Sequence, residues 1–306
     1  MKLYLAGIYT SNFHKESQLY ARLTDRERAA RDGVQHFLES FHYIHKQTYV
    51  DKLRADGVRV FLDSGAFSAF TKGVEVDIRG YCDYIKRNLD IIENIDGDVC
   101  ASVLDGIGDP LKTWQNQQTM EQMGVRPLPC FHYGEDERYL EWYIQHYDYI
   151  TLGGMVPIST PQLVYWLDRI WNRYLTDGSG RPRLKVHGFG LTAIPLMERY
   201  PWYSVDSSSW VQKAAMGAIL VPGLASITVS DTSPARKRDG QHFDNYSGVV
   251  SDAIRKAIED EGFEVDRLRE LYLSRWAYNC WAYPEVGARL KHNYNPIFEL
   301  EQETLF

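Results

Sequence analysis

Hydrophobic and polar positions follow two alternating periods along the chain. Short runs of β-type residues recur eight times, at 2–8, 58–65, 98–105, 126–134, 149–154, 184–190, 203–206 and 217–222. Between them lie segments with helical spacing, at 77–95, 110–124, 135–147, 161–175 and 193–200. This alternation predicts an α/β protein of the (β/α)8 TIM-type barrel class, because each parallel strand needs a crossover helix. The alternative, an open doubly wound sheet, would normally carry a glycine-rich phosphate loop after its first strand, and residues 6–13 contain none.

Two segments depart from this alternation. Residues 11–56 form a long first connection that ends in a stretch with helical character at 37–53. A polar loop at 230–248 is followed by helical segments within 248–283 and by a loose tail. We therefore expect a barrel domain at 1–223 and a C-terminal loop and helical extension at 224–306 that packs on the barrel.

Composition narrows the class of protein. The 306-residue chain has a formal net charge of −7, so no global positive field attracts nucleic acid or an acidic membrane surface. Cys82, Cys100, Cys130 and Cys280 are widely spaced, which favours a reducing compartment over a disulfide framework or a structural zinc site. The apolar run near 214–223 is too short to cross a bilayer, and the first residues do not resemble a signal peptide. We expect a cytoplasmic protein.

Polar residues end most of the predicted strands. In barrels of this class the chemistry gathers at the C-terminal strand ends. The residues at these ends are Asp63, Asp105, His132, Gly153, Gly154, His187 and Asp206. Each aspartate taken alone is more often a turn or helix cap, and each histidine is more often a satisfied polar group. Three carboxylates at the same end of a barrel raise one another's pKa. A pair of carboxylates, of which one is a nucleophile and the other transfers a proton, is suited to cleavage of a bond at an anomeric carbon.

Six motifs carry a resemblance to a known family. They occur in barrel order as FLDSGAFSAF, VLDGIGDP, CFHYG, LGGMVP, VHGFG and SVDSSSW. Together they resemble the tRNA-guanine transglycosylase superfamily, and most closely its DNA-modifying branch, the DpdA type of phages and bacteria. That branch exchanges guanine in DNA for a 7-deazaguanine such as preQ0. The resemblance covers about residues 58–222.

The resemblance implies a pair of catalytic aspartates. Asp206 matches the nucleophile that forms a covalent aspartyl-sugar intermediate, and Asp63 matches the proton-transferring aspartate. Phe67 stands where the family has an aromatic ring that stacks on the base. The implied reaction is that of a pentosyltransferase that needs no cofactor.

The resemblance also implies a guanine pocket. Asp105 matches the aspartate that reads the guanine edge, and His132 stands at the position of a base-reading glutamine. Gly153 and Gly154 match a glycine pair whose backbone approaches the base closely, as residues without a Cβ permit. His187 falls where the family places a residue against the other face of the base.

Departures from the tRNA enzymes favour DNA as the substrate. Those enzymes have a C-terminal zinc site of three cysteines and a histidine, whereas only Cys280 lies beyond residue 200 here, so we expect no zinc subdomain and no metal. SSSW follows Asp206 in place of their tRNA-contacting motif. DNA contacts are expected from two local basic stretches, PARKR and RPRLK, with the residues Arg236, Lys237, Arg238, Arg181 and Arg183. A homodimer is also compatible with the family.

Three alternatives stay open at the level of the sequence. The same chemistry would act on RNA, and a test of sensitivity to the 2′-hydroxyl separates the two polymers. A non-catalytic barrel that binds a purine-like ligand or a partner protein is the second alternative. A retaining glycosidase also fits two carboxylates in a barrel.

Overall fold

The structure is a computed structural model that describes residues 1–191, 193–237, 240 and 242–290. Its strands are β1 (Lys2–Ala6), β2 (Phe37–Ser40), β3 (Val60–Asp63), β4 (Asn94–Ile95), β5 (Asp98–Val99), β6 (Cys130–His132), β7 (Tyr149–Gly153), β8 (Lys185–Gly188), β9 (Ser204–Ser207), β10 (Ala218–Leu220) and β11 (Ser226–Thr228).

The helices before residue 150 are α1 (Gln18–Ala21), α2 (Asp25–Asp32), α3 (Phe41–Ile44), α4 (Gln47–Asp56), α5 (Ala66–Thr71), α6 (Ile78–Arg87), α7 (Pro110–Gln122) and α8 (Glu137–His146). Those that follow are α9 (Thr160–Ile170), α10 (Ile194–Arg199), α11 (Ser209–Ala215), α12 (Gly248–Glu259), α13 (Val265–Glu270) and α14 (Tyr272–Arg289). Trp171–Leu175 forms a π-helical turn, and 3₁₀ turns occur at Leu89–Ile91, Pro234–Lys237 and Phe243–Asn245.

A seven-stranded parallel sheet in the order β3-β2-β1-β9-β8-β7-β6 forms the centre of the fold and confirms the α/β class. The register pairs Phe131 with Leu152 between β6 and β7, and His187 with Ser204 between β8 and β9. Isolated parallel bridges also link Leu62 with Ala101, and Ser102 with Leu128. This arrangement of parallel strands and helices is compatible with a TIM-type fold.

Local sequence signals explain the helices that flank the site. Pro110 occupies the first turn of α7, where its missing N–H is not needed, and the Asp109 side chain accepts a hydrogen bond from the Lys112 backbone N–H.

The predicted helices at 110–124, 135–147, 161–175 and 193–200 are confirmed within a few residues. The predicted helix at 77–95 is too long, because the backbone leaves helical geometry at Asn88.

One helix prediction is wrong in part, and one strand prediction is wrong. The sequence predicts a helix over 37–53, and α3 and α4 confirm it from Phe41 onward, but the first four residues form β2, in which Phe37, Leu38 and Glu39 are all buried. A continuous buried run carries neither the helical nor the alternating period, so its pattern does not distinguish the two structures. The segment 217–222 was expected to supply a barrel strand, but β10 pairs antiparallel with β11 in a separate two-stranded sheet.

The described chain divides into two compact units. One contains Ser40–Asp206, and the other contains Lys2–Glu39 together with Ser207–Arg289. These limits differ from the domain boundary expected at residue 223. In the second unit, buried Asn279 on α14 donates to the Trp210 carbonyl at 2.9 Å and accepts from the Leu220 N–H at 3.0 Å. Within the described ranges, no helix is both long enough and apolar enough to span a bilayer.

Candidate active site

Asp63 ends β3 in the unit formed by Ser40–Asp206. The Gly65 backbone N–H donates to Asp63 Oδ2 at 3.0 Å. Gly65 has a φ of +77°, and a Cβ there would lie 2.5 Å from both Ser40 Oγ and His42 Cβ. Only glycine fits this turn, which holds the carboxylate in place. Burial, followed by the negative charges of Asp105 and Asp206, raises the pKa of Asp63 from 3.8 to about 7.

Asp206 lies on β9 with only 7% of its surface exposed. The Gly190 backbone N–H donates to Asp206 Oδ1 at 2.8 Å, and His187 Nε2 lies 3.4 Å from the same oxygen. An N–H donor of this kind fixes the orientation of the carboxylate. No lysine or arginine of the described residues forms an ion pair with Asp63, Asp105 or Asp206.

His187 is completely buried beside Asp206. Its ring stacks on Phe61 with the centroids 4.4 Å apart, and its Nδ1 lies 2.8 Å from Ser204 Oγ. Phe189 packs edge-on against the same ring, with the centroids 4.7 Å apart. The prediction that His187 contacts the base remains a prediction. In the structure its side chain contacts Asp206 and the protein interior.

Asp105 and His132 form one connected group with Cys130 and Glu135. His132 Nε2 lies 3.4 Å from Asp105 Oδ2 and 3.4 Å from Cys130 Sγ, while His132 Nδ1 lies 2.8 Å from Glu135 Oε1. Glu135 also accepts from the His132 backbone N–H at 3.0 Å. Burial alone would lower the pKa of His132, but Cys130 and Asp105 raise it well above the usual value. Asp105 Oδ1 is buried and accepts no hydrogen bond from the described protein residues.

Gly153 and Gly154 pack against this group. A Cβ at Gly153 would lie 2.9 Å from both Cys130 Sγ and His132 Cδ2. Gly154 has a φ of +67°, and its Cβ would lie 3.2 Å from His132 Cβ. The glycine pair therefore leaves room for the Cys130 and His132 side chains, a role that the sequence-based prediction of close approach to a base did not include.

An open pocket adjoins Asp105. This cavity of about 480 Å³ is lined by Asp105, Ala66, Phe70 and Ile107, among other residues, with the cationic Lys112 at its wall. Phe67, the predicted stacking residue, lies on α5 with 65% of its surface exposed. Phe67 does not line this cavity, and its stacking role stays a prediction.

The predicted phosphate-binding residues belong to two different units, with Arg181 and Arg183 in Ser40–Asp206 and Arg236 and Lys237 in Ser207–Arg289. Arg181 and Arg183 are exposed and precede β8. They therefore lie at the N-terminal end of this strand, whereas Asp206 lies toward the C-terminal ends of the strands. Arg236 Nε lies 3.0 Å from Asp244 Oδ2, which partly neutralises the arginine, and Lys237 is exposed. Arg238 lies outside the described residues.

Cys130 and Glu135 are the site residues that the sequence reasoning missed. Cys130 and His132 are two apart on a strand and therefore point to the same face. Glu135 follows His132 by three residues, across a turn at Gly134 with a φ of +81°. The two-residue period of the strand is the signal in the sequence that could have linked Cys130 with His132.

No model of a known protein family matches this chain, and no curated protein matches it.

Proposed function

We propose that this protein is a guanine transglycosylase that exchanges guanine in DNA for a 7-deazaguanine such as preQ0. The observation that carries the proposal is the pairing of two unlike aspartates. The pKa of Asp63 is raised to about 7, close to the pH at which a proton carrier works best. Asp206 accepts the Gly190 N–H, which orients its carboxylate as a nucleophile requires.

The proposal includes a closed eight-stranded barrel, in which residues 100–103 serve as the eighth strand. Leu62 donates its N–H to the Cys100 carbonyl at 2.8 Å, and Ser102 donates to the Leu62 carbonyl at 2.9 Å. On the other side, Val103 donates to the Leu128 carbonyl at 2.9 Å. These bonds support a strand between β3 and the chain that enters β6, and in the proposed barrel Asp105 follows the end of that strand.

Asp105 is proposed to select guanine-like bases. Guanine offers a ring N–H and an exocyclic amine side by side, and the two oxygens of one carboxylate accept two such donors. Asp105 Oδ1 is buried and has no hydrogen-bond donor in the described protein. Adenine does not present this pair of donors, so it leaves the carboxylate unsatisfied.

Two displacements at C1′ complete the exchange. A carboxylate oxygen of Asp206 attacks C1′ while the glycosidic bond to guanine breaks, and Asp63 gives its proton to the departing base. The incoming deazaguanine then loses its ring proton to Asp63, its nitrogen attacks C1′, and the bond to Asp206 breaks. Asp63 is protonated again, and the sugar retains its configuration.

The polymer is proposed to be DNA because the tRNA-contacting motif is replaced after Asp206 by SSSW. A base inside a duplex must first be turned out of the stack. The alternatives are the same exchange on RNA and a non-catalytic barrel that binds a purine.

Release of labelled guanine tests the proposal. Wild-type protein is incubated with guanine-labelled DNA or RNA and preQ0, beside Asp206→Asn and Asp63→Asn variants. Asp51→Asn is the matched control, since Asp51 is an exposed aspartate of the same unit. We expect release from DNA by the wild type and the control only. Release from RNA alone supports the first alternative, and release from neither polymer contradicts the transglycosylase.

A further inference from the structure

We propose that Asp105, Cys130 and His132 form a binding site for a zinc ion. One ligand atom from each residue lies within 4.8 Å of the other two. These are a carboxylate oxygen, a thiol sulfur and an imidazole nitrogen, which are the three donor types that Zn²⁺ takes in proteins. The inference does not depend on the proposed base exchange, and it revises the expectation of no metal. An ion on Asp105 Oδ2 would leave Oδ1 to accept from guanine, so the contact through both oxygens proposed above applies to the metal-free protein.

The distances between the ligand atoms suit a tetrahedral ion. Zinc lies about 2.3 Å from sulfur and about 2.0–2.1 Å from nitrogen or oxygen, so tetrahedral ligand atoms are about 3.3–3.6 Å apart. Cys130 Sγ and Asp105 Oδ2 each lie 3.4 Å from His132 Nε2. Two of the three pairs therefore already have the spacing of tetrahedral ligands, and the Cys130–Asp105 pair, within 4.8 Å, needs at most a small approach.

Glu135 orients the histidine as a ligand. Its Oε1 lies 2.8 Å from His132 Nδ1, so a proton on Nδ1 would be donated to this carboxylate, and Nε2 is the nitrogen that faces Cys130 and Asp105. Carboxylate–histidine–zinc triads use this arrangement to fix the tautomer and raise the basicity of the ligand.

The donor set favours zinc over harder cations. Thiolate and imidazole select borderline or soft metals, whereas Mg²⁺ and Ca²⁺ prefer oxygen ligands only. Gly153 provides the space, because a Cβ there would lie 2.9 Å from Cys130 Sγ. Three protein ligands leave the fourth position open to water or to a bound molecule, as in catalytic zinc sites.

Metal content of the full-length protein tests the site without any nucleic acid. Wild type, Cys130→Ser, His132→Asn and Glu135→Gln are equilibrated with zinc alone, dialysed and analysed by mass spectrometry of the metal. Cys82→Ser is the matched control, since Cys82 is also buried but lies outside the cluster. We expect one zinc per chain in the wild type and the control, loss in the first two variants, and affinity about 10–100-fold weaker in Glu135→Gln.

Cobalt substitution keeps the inference falsifiable if a variant fails to fold. Wild type loaded with Co²⁺ should show a thiolate-to-cobalt charge-transfer band and the strong visible bands of a tetrahedral site. Absence of the thiolate band, or zinc retained equally by folded Cys130→Ser, overturns the inference. A failed base-exchange assay does not affect this readout, and absence of zinc leaves the base-exchange test intact.

Discussion

Glu27 and Asp63 are both withdrawn from water, but their surroundings differ. Glu27, in the unit that contains α2 and α14, receives two hydrogen bonds from Arg267 at 2.9 and 3.0 Å and one from the Thr24 N–H at 2.8 Å. Burial alone would raise the pKa of Glu27, but hydrogen bonds from Arg267, Ser274 and Thr24 lower it. Asp63, in the other unit, is close to two further aspartates and has no cationic partner among the described residues, and its pKa is raised.

The difference distinguishes Glu27, a carboxylate with a structural role, from Asp63, a carboxylate with a proposed catalytic role. Removal of the charge from a buried carboxylate that pairs with a guanidinium destabilises the fold, because the guanidinium is left without a compensating charge. A carboxylate held near two like charges costs stability, and such groups cluster at functional sites. We therefore expect loss of the charge at Glu27 to lower the free energy of unfolding, and loss of the charge at Asp63 to leave it equal or raise it.

Replacement of the proposed nucleophile should have the largest effect. Asp206→Asn is expected to lower the single-turnover rate of base exchange by about 10⁴-fold or more, because an amide does not form the covalent intermediate. The free energy of unfolding should stay equal or rise, since one of three neighbouring negative charges is removed. Rapid-quench kinetics and urea denaturation measure the two effects, and a variant that retains exchange would exclude Asp206 as the nucleophile.

The neutral amide at position 63 should reduce activity without loss of stability. Asp63→Asn is expected to lower the exchange rate by about 10²–10⁴-fold, the range of general acid–base catalysis. Its free energy of unfolding at pH 8 should exceed that of the wild type, where Asp63 is ionised next to Asp105 and Asp206. A stability loss comparable with that of Glu27→Gln would contradict the contrast between the two carboxylates.

The structural carboxylate should show the reverse behaviour. Glu27→Gln leaves Arg267 without its anionic partner and is expected to destabilise the protein by about 3 kcal/mol. The exchange rate of the folded variant should remain near that of the wild type. Urea denaturation and exchange assays at low temperature check both statements, and a catalytic loss without destabilisation would contradict the structural role.

The raised pKa of Asp63 should make the stability of the protein depend on pH. The pKa of Asp63 is raised from 3.8 to about 7, so the folded state holds this proton over a range where the unfolded state has released it. Stability contributed by Asp63 is therefore lost as the pH rises from about 4 to 7. The charged or titratable groups around it are Asp105, Asp206 and Tyr81.

Asp63→Asn isolates this contribution. Burial raises the pKa of Glu39 to about 7 as well, so the wild type alone does not separate the two groups. In metal-free protein, the difference in the free energy of unfolding between Asp63→Asn and the wild type should grow in favour of the variant as the pH rises from 5 to 8. A difference that is constant over this range would argue against the raised pKa.

The smallest effect is expected from the surface cations. Lys237→Glu should weaken DNA binding and reduce the slope of the logarithm of affinity against the logarithm of salt concentration by about 1 or more. Arg181→Glu should change neither the affinity for DNA nor its salt dependence, since Arg181 lies before β8, at the N-terminal end of the strand. Fluorescence anisotropy at several salt concentrations measures both, and equal losses would contradict the assignment of Lys237, and not Arg181, to the DNA contact.

The sequence predicted those parts of the fold whose signals are local. The strand at 149–153 and the helix that begins at Pro110 have clear patterns and clear ends. The strand at Phe37–Ser40 was missed because its successive buried residues have no period, and Ala218–Leu220 reads as a strand whichever partner it pairs with. Pairing partners are set by tertiary contacts, which propensity does not contain.

The candidate site divides in the same way. The strand-end rule indicated Asp63, Asp105 and Asp206, because their positions depend on element order alone. Burial of His187 between aromatic rings depends on packing, and so does the approach of Cys130 to Asp105, which is 25 positions away in the sequence. Neither relation leaves a short-range signal.

Identification of the residue that becomes attached to DNA tests the central claim most directly. Wild-type protein is incubated with guanine-containing DNA without an incoming base, digested with nuclease and trypsin, and analysed by tandem mass spectrometry. The proposed mechanism predicts a 2′-deoxyribose adduct on Asp206, within the peptide at 200–213, that is absent from Asp206→Asn and disappears when preQ0 is added. Base exchange without an adduct, or an adduct on Asp63 or another residue, would contradict it.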